Sequence, residues 1–223
     1  MEDTSFILLW KQHYEKIDQT LAINKRLLKE LLTQKAESSL RRLLREKAFG
    51  IVAGVVWLLI LGAPLGLALT HYHPAANYFI VSIGVIFLIN LKALADYIRF
   101  AILIQSIAYD GSIVKIQEKL YRLQWSMIRH CRIMVLQFPF WSTFFLSSTW
   151  FPQHTPPGFI ILQIGITGLL TYIAYWLYRN LTSAKLGNRW IKLFVASVGG
   201  KDVVAALGFY KELAELETTG RSD

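Results

Sequence analysis

A lysine and an aspartate, Lys92 and Asp96, stand four residues apart at the end of an uncharged apolar stretch, with Asn90 just before them. Side chains four apart share one face of a helix, so the two charges can pair. Ionisable groups within membrane spans often serve ion paths or proton relays. The alternative is a structural anchor, because Lys92 is roughly 7 Å from the predicted inner boundary and its stem can reach the headgroups. This depth favours the anchor.

A second polar group lies in the last apolar tract, where Gln163, Thr167 and Thr171 recur at intervals of four and share one helix face. Hydroxyl side chains of the preceding segment add to it: Ser142, Thr143, Ser147, Ser148 and Thr149. Such groups can line a solute path, or they can bond to backbone and neighbouring helices as packing contacts. Packing is favoured, because Pro139 frees a backbone carbonyl nearby.

The sequence contains no Gly-rich phosphate loop, zinc-ligand spacing, nucleophile elbow or kinase signature. His71, His73 and His154 fall at the predicted outer surface, but no carboxylate or cysteine accompanies them, so we expect solvated histidines there. The single cysteine, Cys131, excludes an internal disulfide. We therefore expect no catalytic residue, no cofactor, no bound metal and no enzyme activity.

Two tracts, residues 48–91 and 133–178, contain no Asp, Glu, Lys or Arg, although such residues make up 17% of the chain. Each tract breaks near its middle at a turn that contains Pro and His. One crossing of a ~30 Å hydrocarbon core takes ~20 residues, so each tract is long enough for two spans. The sequence predicts an all-α, polytopic membrane protein with two transmembrane hairpins. The four predicted spans are residues 48–70, 77–97, 133–151 and 158–178.

The basic residues predict the orientation. Ten of the 24 Lys and Arg residues precede the first span, six lie between spans two and three, seven follow span four, and Lys92 completes the count. The two turns between spans contain none. The positive-inside rule then predicts a multi-pass inner-membrane protein with both termini in the cytoplasm. The net charge of +9 is explained by anchoring to the lipid bilayer, so no nucleic-acid partner is expected.

This orientation divides the chain into five parts. They are a cytoplasmic helical arm (1–47), a transmembrane hairpin (48–97), a cytoplasmic helical hairpin (98–132), a second transmembrane hairpin (133–178), and cytoplasmic interfacial and C-terminal helices (179–223). In the last part, residues 183–198 are typical of a helix lying in the membrane interface, and residues 203–216 of a final helix.

The arm is predicted to be one long helix, because no Gly or Pro precedes Gly50 and residues 11–47 are mostly strong helix formers. The helix can run unbroken into the first span. Its apolar positions alternate by four and three, as in a coiled-coil seam with one polar member: Trp10, Tyr14, Ile17, Leu21, Asn24, Leu28 and Leu31. This stripe packs either on another helix of the same chain or across an oligomer, and both interpretations are open.

The cytoplasmic hairpin carries a matching stripe. Its members repeat by three and four and continue to His130: Ile113, Ile116, Leu120, Leu123 and Met127. The sequence Asp110-Gly111-Ser112 predicts a turn before it. We expect this helix to bundle with the arm and the tail.

The arm also carries a resemblance. The segment from Trp10 through residues 16–21 (Lys-Ile-Asp-Gln-Thr-Leu) to residues 41–44 (Arg-Arg-Leu-Leu), followed by two hairpins, resembles small uncharacterised bacterial inner-membrane proteins of the Bacteroidetes kind. The resemblance covers the architecture and the arm. It implies a setting in the membrane and no catalytic residues.

Two functions are consistent with these patterns. The leading hypothesis is a non-enzymatic membrane adaptor or regulator that acts through its cytoplasmic helices, as a homo-oligomer or with a cytoplasmic protein partner. The alternative is an oligomeric channel or transporter subunit, with a polar path along spans three and four and with Lys92 and Asp96 at its inner mouth.

Overall fold

The computed structural model describes residues 2–107, 112–181 and 201–219, and these residues form helices and turns with no strand among them. The all-α prediction is confirmed. The described residues form five α-helices: α1 (Glu2–Thr70), α2 (Asn77–Gln105), α3 (Ile113–Met134), α4 (Pro157–Asn180) and α5 (Lys201–Thr219). Two 3-10 helices, Pro74–Ala76 and Val135–Ser142, connect them. The predicted interfacial helix at 183–198 and the predicted turn at Asp110-Gly111 lie outside the described residues.

The first helix, α1, is continuous over 69 residues, about 100 Å at the helical rise. The expectation that the arm runs unbroken into the first apolar stretch is confirmed. Pro64 lies inside α1 without ending it, as membrane helices tolerate. The helix stops at Thr70, whose hydroxyl donates to the Gly66 carbonyl at 3.0 Å, and His73 then caps the short 3-10 turn by accepting from the Ala75 N–H at 3.2 Å.

In the part of the chain that the structure describes, three helical stretches are long and apolar enough to cross a membrane: Gln19–Thr70, Pro74–Gln105 and Pro157–Asn180. Glycines allow the first two to pack closely. A Cβ at Gly50 would lie 3.2 Å from the ring of Tyr97, and a Cβ at Gly62 would lie 3.1 Å from the ring of Phe87. Both positions therefore favour glycine because of the close approach of α2.

Residues 133–151, which the sequence predicts as a third helical span, do not form one α-helix. The chain leaves α3 at Met134, continues as the 3-10 helix Val135–Ser142, and then forms turns as far as Thr155. Pro139 lacks the N–H that an α-helix needs, and hydroxyls bond to nearby carbonyls instead. Ser142 donates to the Pro139 carbonyl at 2.7 Å, and Thr143 donates to that of Phe140 at 3.2 Å.

The helices pack into two regions. In the apolar region, α2 lies between α1 and the segment 135–148, and α4 packs on the other side of that segment. In the second region, parts of α1, α2, α3 and α5 surround one apolar core, which we call the helical bundle. Its buried members are Leu32, Ala36, Leu40, Leu43, Phe100, Ile104, Ile107, Ile116, Leu120, Leu123, Met127, Val203, Ala206, Tyr210 and Leu213.

Candidate functional site

The predicted stripe on the arm is exposed. Every described side chain from Lys16 to Leu31 is exposed, including the stripe members Ile17, Leu21, Asn24, Leu28 and Leu31. The exposed fractions are 55% for Leu21 and 42% for Leu28, far above those of core leucines. The side chains of Trp10 and Tyr14 lie outside the described residues. We call residues 17–31 of α1 the exposed stripe.

The matching stripe of α3 is buried in the helical bundle, with Ile116, Leu120 and Leu123 at 3% exposure or less. The α1 residues in the same core are not the predicted ones, and α1 joins the bundle chiefly through contacts with α2 and α5. These α1 residues follow the exposed stripe directly and are fully or nearly fully buried: Leu32, Ala36, Leu40 and Leu43. In the sequence, these four residues are separated by intervals of four, four and three, and this spacing was the signal that could have identified them as a buried face. The two interaction surfaces predicted for the cytoplasmic helices thus do not meet within one chain.

The final helix, α5, closes the bundle beside α1 and α3. Its first-turn carboxylate, Asp202, is buried and forms an ion pair with Arg42 of α1. Farther along α5, the Gln117 amide of α3 donates to the Tyr210 carbonyl at 3.1 Å. These two polar contacts fix the orientation of α5, whose Val203 and Ala206 side chains pack in the apolar core of the bundle.

A polar cluster lies where the bundle meets the apolar helices. Asp96 is 8% exposed and accepts from both Lys92 and His130, with the histidine Nδ1 3.0 Å from the carboxylate. Lys47 of α1 lies over the Tyr97 ring, its Nζ 5.0 Å from the centroid. The predicted Lys92–Asp96 pair is therefore present, and sequence reasoning missed Lys47. His130 ends the buried stripe of α3, which was the signal for its position.

The surroundings of His130 favour its neutral form, chiefly because the ring is buried. Burial lowers the pKa of His130, the nearby Lys92 and Lys47 lower it further, and the hydrogen bond and charge of Asp96 act in the opposite direction. A neutral imidazole can donate its Nδ1–H to the Asp96 carboxylate. Burial also raises the pKa of the Cys131 thiol to about 11. This thiol is therefore protonated and unreactive near neutral pH.

The polar residues predicted in the membrane interior bond to one another. The Gln163 amide donates to the Ser142 carbonyl at 2.5 Å, and the Thr167 hydroxyl lies 3.0 Å from that of Ser142. Thr171 donates to the Thr167 carbonyl of its own helix at 2.7 Å. Asn90 of α2 donates to the Gln137 side chain at 3.0 Å, a contact for which the sequence gave no pairing signal. This network packs α2, the irregular segment and α4 together.

Within the described ranges, no group of three or more His, Cys, Asp or Glu residues is arranged to hold a metal ion. His71 and His73 instead bond locally: the Nδ1 of His71 is 3.1 Å from the Thr70 hydroxyl, and His73 accepts the backbone N–H described above. The described residues thus present an exposed apolar helix face on α1 and buried hydrogen bonds that pack the helices together.

Comparison with known proteins gives no match: no family model, no curated protein and no solved structure is similar to this chain.

Proposed function

We propose that this chain is a non-enzymatic integral membrane adaptor or regulator that acts through its cytoplasmic helices and assembles as an oligomer. The observation that carries the proposal is the exposed stripe of α1. An apolar helix face that stays in water is unfavourable, and contiguous exposed apolar surface marks interaction sites. In this chain the stripe belongs to the same continuous helix that enters the apolar region, so a partner bound there is tied directly to the membrane.

The helical bundle supports this role because it fixes the base of the arm. Leu32, Leu40 and Leu43 bury one face of α1 in the core of the helical bundle, where α1 packs on α2 and α5. Each buried leucine contributes roughly 1.5–3 kcal/mol relative to exposure. A base held in this way keeps the arm at a defined angle, while residues 2–31 project about 45 Å beyond it at the helical rise. The chain thus presents its recognition surface at a distance from the bilayer.

A topology of four passes, with both termini in the cytoplasm of an inner-membrane protein, is part of the proposal. It is supported by the course of the irregular segment along α2. Four contacts pair α2 and the turn before it with the end of α3 and the irregular segment in antiparallel order: Asp96–His130 at 3.0 Å, Asn90–Gln137 at 3.0 Å, Ser82–Thr143 at 2.8 Å, and Ser147 with the Ala75 carbonyl at 2.9 Å. These contacts cover about 20 residues of α2, or ~30 Å, the thickness of the hydrocarbon core.

The third pass is then an irregular one. Backbone that is not α-helical is tolerated at membrane depth where the protein satisfies its polar groups. The 3-10 bonds of Val135–Ser142 and the Gln163 amide on the Ser142 carbonyl meet this requirement. Since Gln163 and Thr167 are engaged in this packing, the same contacts do not favour a solute path along spans three and four.

The test is a paired substitution on the exposed stripe. Replacing Leu21 and Leu28 together by Asp places two charges on the recognition face and leaves the bundle core untouched. We expect the purified protein to lose its oligomer and any partner that copurifies with the wild type, as measured by light scattering and by mass spectrometry of the isolated complex.

The matched control replaces Gln19 and Arg26 by Asp, since both side chains are exposed on the opposite face of the same helix turns. This control changes the charge of the arm more than the test variant does. An assembly that both variants leave intact would overturn the adaptor proposal. Loss of assembly in both would mean that charge, and not the apolar stripe, governs the interaction.

A further inference from the structure

We propose that the occupant of the exposed stripe is the same stripe of a second copy, paired as a parallel, in-register coiled coil around Asn24. This inference rests on the proposed function and names its partner. In the described part of the chain, every side chain of residues 16–31 for which burial is assigned is exposed, so the stripe is not covered by α2, α3, α4 or α5.

The bundle face follows the stripe along α1 and turns gradually away from it, since Leu32, its first member, lies only about 40° from Leu28. At 100° per residue, Leu40 and Leu43 point roughly a quarter of a turn away from Leu21 and Leu28. A second helix can therefore lie along the stripe without displacing α3 or α5 from the bundle. The alternation by four and three keeps Ile17 and the later members on one seam when two helices supercoil.

Membrane anchoring decides the direction and register of this pairing. α1 is one helix from Glu2 to Thr70, so each residue of the arm stands at a height fixed by the apolar stretch below it. Two copies inserted the same way in one bilayer place identical residues at identical heights. A parallel pair in register thus forms without any sliding or reversal of the arms.

Asn24 identifies the second copy as the fitting occupant. An amide in an apolar seam needs a polar group opposite, because leaving it without a hydrogen bond in a dry interface is unfavourable. A carboxamide has both donor and acceptor atoms, so it pairs with another carboxamide. In register, the amide opposite Asn24 is the Asn24 of the second copy, and one Asn in a seam is a known means of setting register.

The charge of the arm is also compatible with self-pairing. Residues 2–31 contain five basic and five acidic residues, a net charge of zero, whereas the whole chain is at +9. All of the net positive charge therefore lies outside residues 2–31. These segments of two copies do not repel each other, and a neutral segment has little electrostatic attraction to an anionic lipid surface, which is the other apolar environment within reach.

Cysteine crosslinking in membranes tests the proposal. Single variants Leu21→Cys and Leu28→Cys place thiols on the seam, and Gln19→Cys and Arg26→Cys place them on the opposite face as controls. The native background is suitable, because Cys131 is buried and its thiol has a raised pKa. Under mild oxidation we expect the two seam variants to run at twice the 25.6 kDa monomer mass on a non-reducing gel, and the controls to remain monomeric.

Equal amounts of crosslinked dimer from the seam variants and the control variants would indicate random collision and would overturn the proposal. An absence of crosslinked dimer from the seam variants would overturn it too. A second experiment uses membranes that contain the double variant Leu21→Asp, Leu28→Asp. It distinguishes a failure of self-pairing from a failure of the proposed adaptor function. If seam crosslinks are absent but the Asp pair still releases a copurifying protein, self-pairing is wrong and the adaptor function stands. If neither occurs, both are wrong.

Discussion

Two consecutive stretches of α1, residues 16–31 and residues 32–47, share one helix and a similar content of Leu and of Lys and Arg, but only the second contains buried side chains among those described. The difference is set by the partner helices. The second stretch packs on α2 and α5, and Arg42 within it pairs with Asp202 of α5. The apolar positions of α1 that are buried against these helices, Leu32 to Leu43, all belong to the second stretch. Under the proposed function, the first stretch is the one that binds a partner.

The largest effect that separates the two stretches is expected from truncating one leucine in each. Leu40 is 0% exposed, so Leu40→Ala should lower the free energy of unfolding by about 2–5 kcal/mol through lost burial and a cavity. Leu28→Ala should change the stability of the dissociated monomer by about 0.5 kcal/mol or less. Urea unfolding in dilute detergent, followed by circular dichroism, measures both. Similar losses at the two positions would remove the distinction between bundle and arm.

A smaller effect is expected at the polar cluster, where the bundle begins. Asp96→Asn removes the carboxylate shared by Lys92 and His130 and should destabilise by about 1–3 kcal/mol. Lys92 remains partly solvated, which places the effect toward the lower end. The control is Glu118→Gln on α3, which breaks a fully solvent-exposed pair with Arg122 and should have almost no effect. Equal effects would mean that the cluster does not secure the base of the arm.

The pH dependence of stability provides a third comparison. Burial and two lysines lower the pKa of His130 in the folded protein below its ordinary value of 6.5, so the unfolded chain takes up the proton first. The contribution of His130 to the free energy of unfolding should therefore be fully present above about pH 6.5. It should decrease at lower pH, by at most about 1.4 kcal/mol per pH unit. Unfolding measured from pH 8 to 5.5 should show this slope in the wild type and a reduced slope in His130→Gln. An identical slope in both would contradict the assignment.

The smallest effect is expected in the exposed stripe itself. Asn24→Leu replaces an amide in the seam by an apolar group, which should stabilise the paired arms by about 1 kcal/mol. The same change should loosen the register, because the matched amides are gone. Dilution in detergent, followed by mass photometry, measures the first effect, and crosslinking between Leu21→Cys and Leu28→Cys copies measures the second. Weaker pairing than wild type would show that Asn24 is not in the seam.

The sequence predicted those features that depend on local patterns. Charge-free tracts predicted long apolar helices, and the lack of Gly or Pro before Gly50 predicted a continuous α1, because both patterns act within one segment. The buried face from Leu32 to Leu43 was not assigned, because the alternation by four and three changes at Leu32. That change acquires meaning only once the packing of α2 and α5 on α1 is known.

The polar contacts were predicted in part for a similar reason. Lys92 and Asp96 are four apart on one helix, so their pairing is visible in the sequence. The approach of Lys47 and His130 to the same cluster depends on the rotation of three helices about one another. The irregular course after Met134 depends likewise on Gln163, a residue of another helix that satisfies the Ser142 carbonyl. Such contacts arise from tertiary packing, which periodicity does not specify.

The central claim, that the arms of two copies pair in parallel and in register, is tested most directly by a distance between spin labels. Labels at Gln19 and at Arg26, in separate samples reconstituted in lipid bilayers, lie seven residues apart on the outer face of the arm. Pulsed electron–electron double resonance should give one narrow distribution of distances between the two labels, with the same mean at both positions. Clearly different means, or no dipolar signal between copies at either position, would contradict the account.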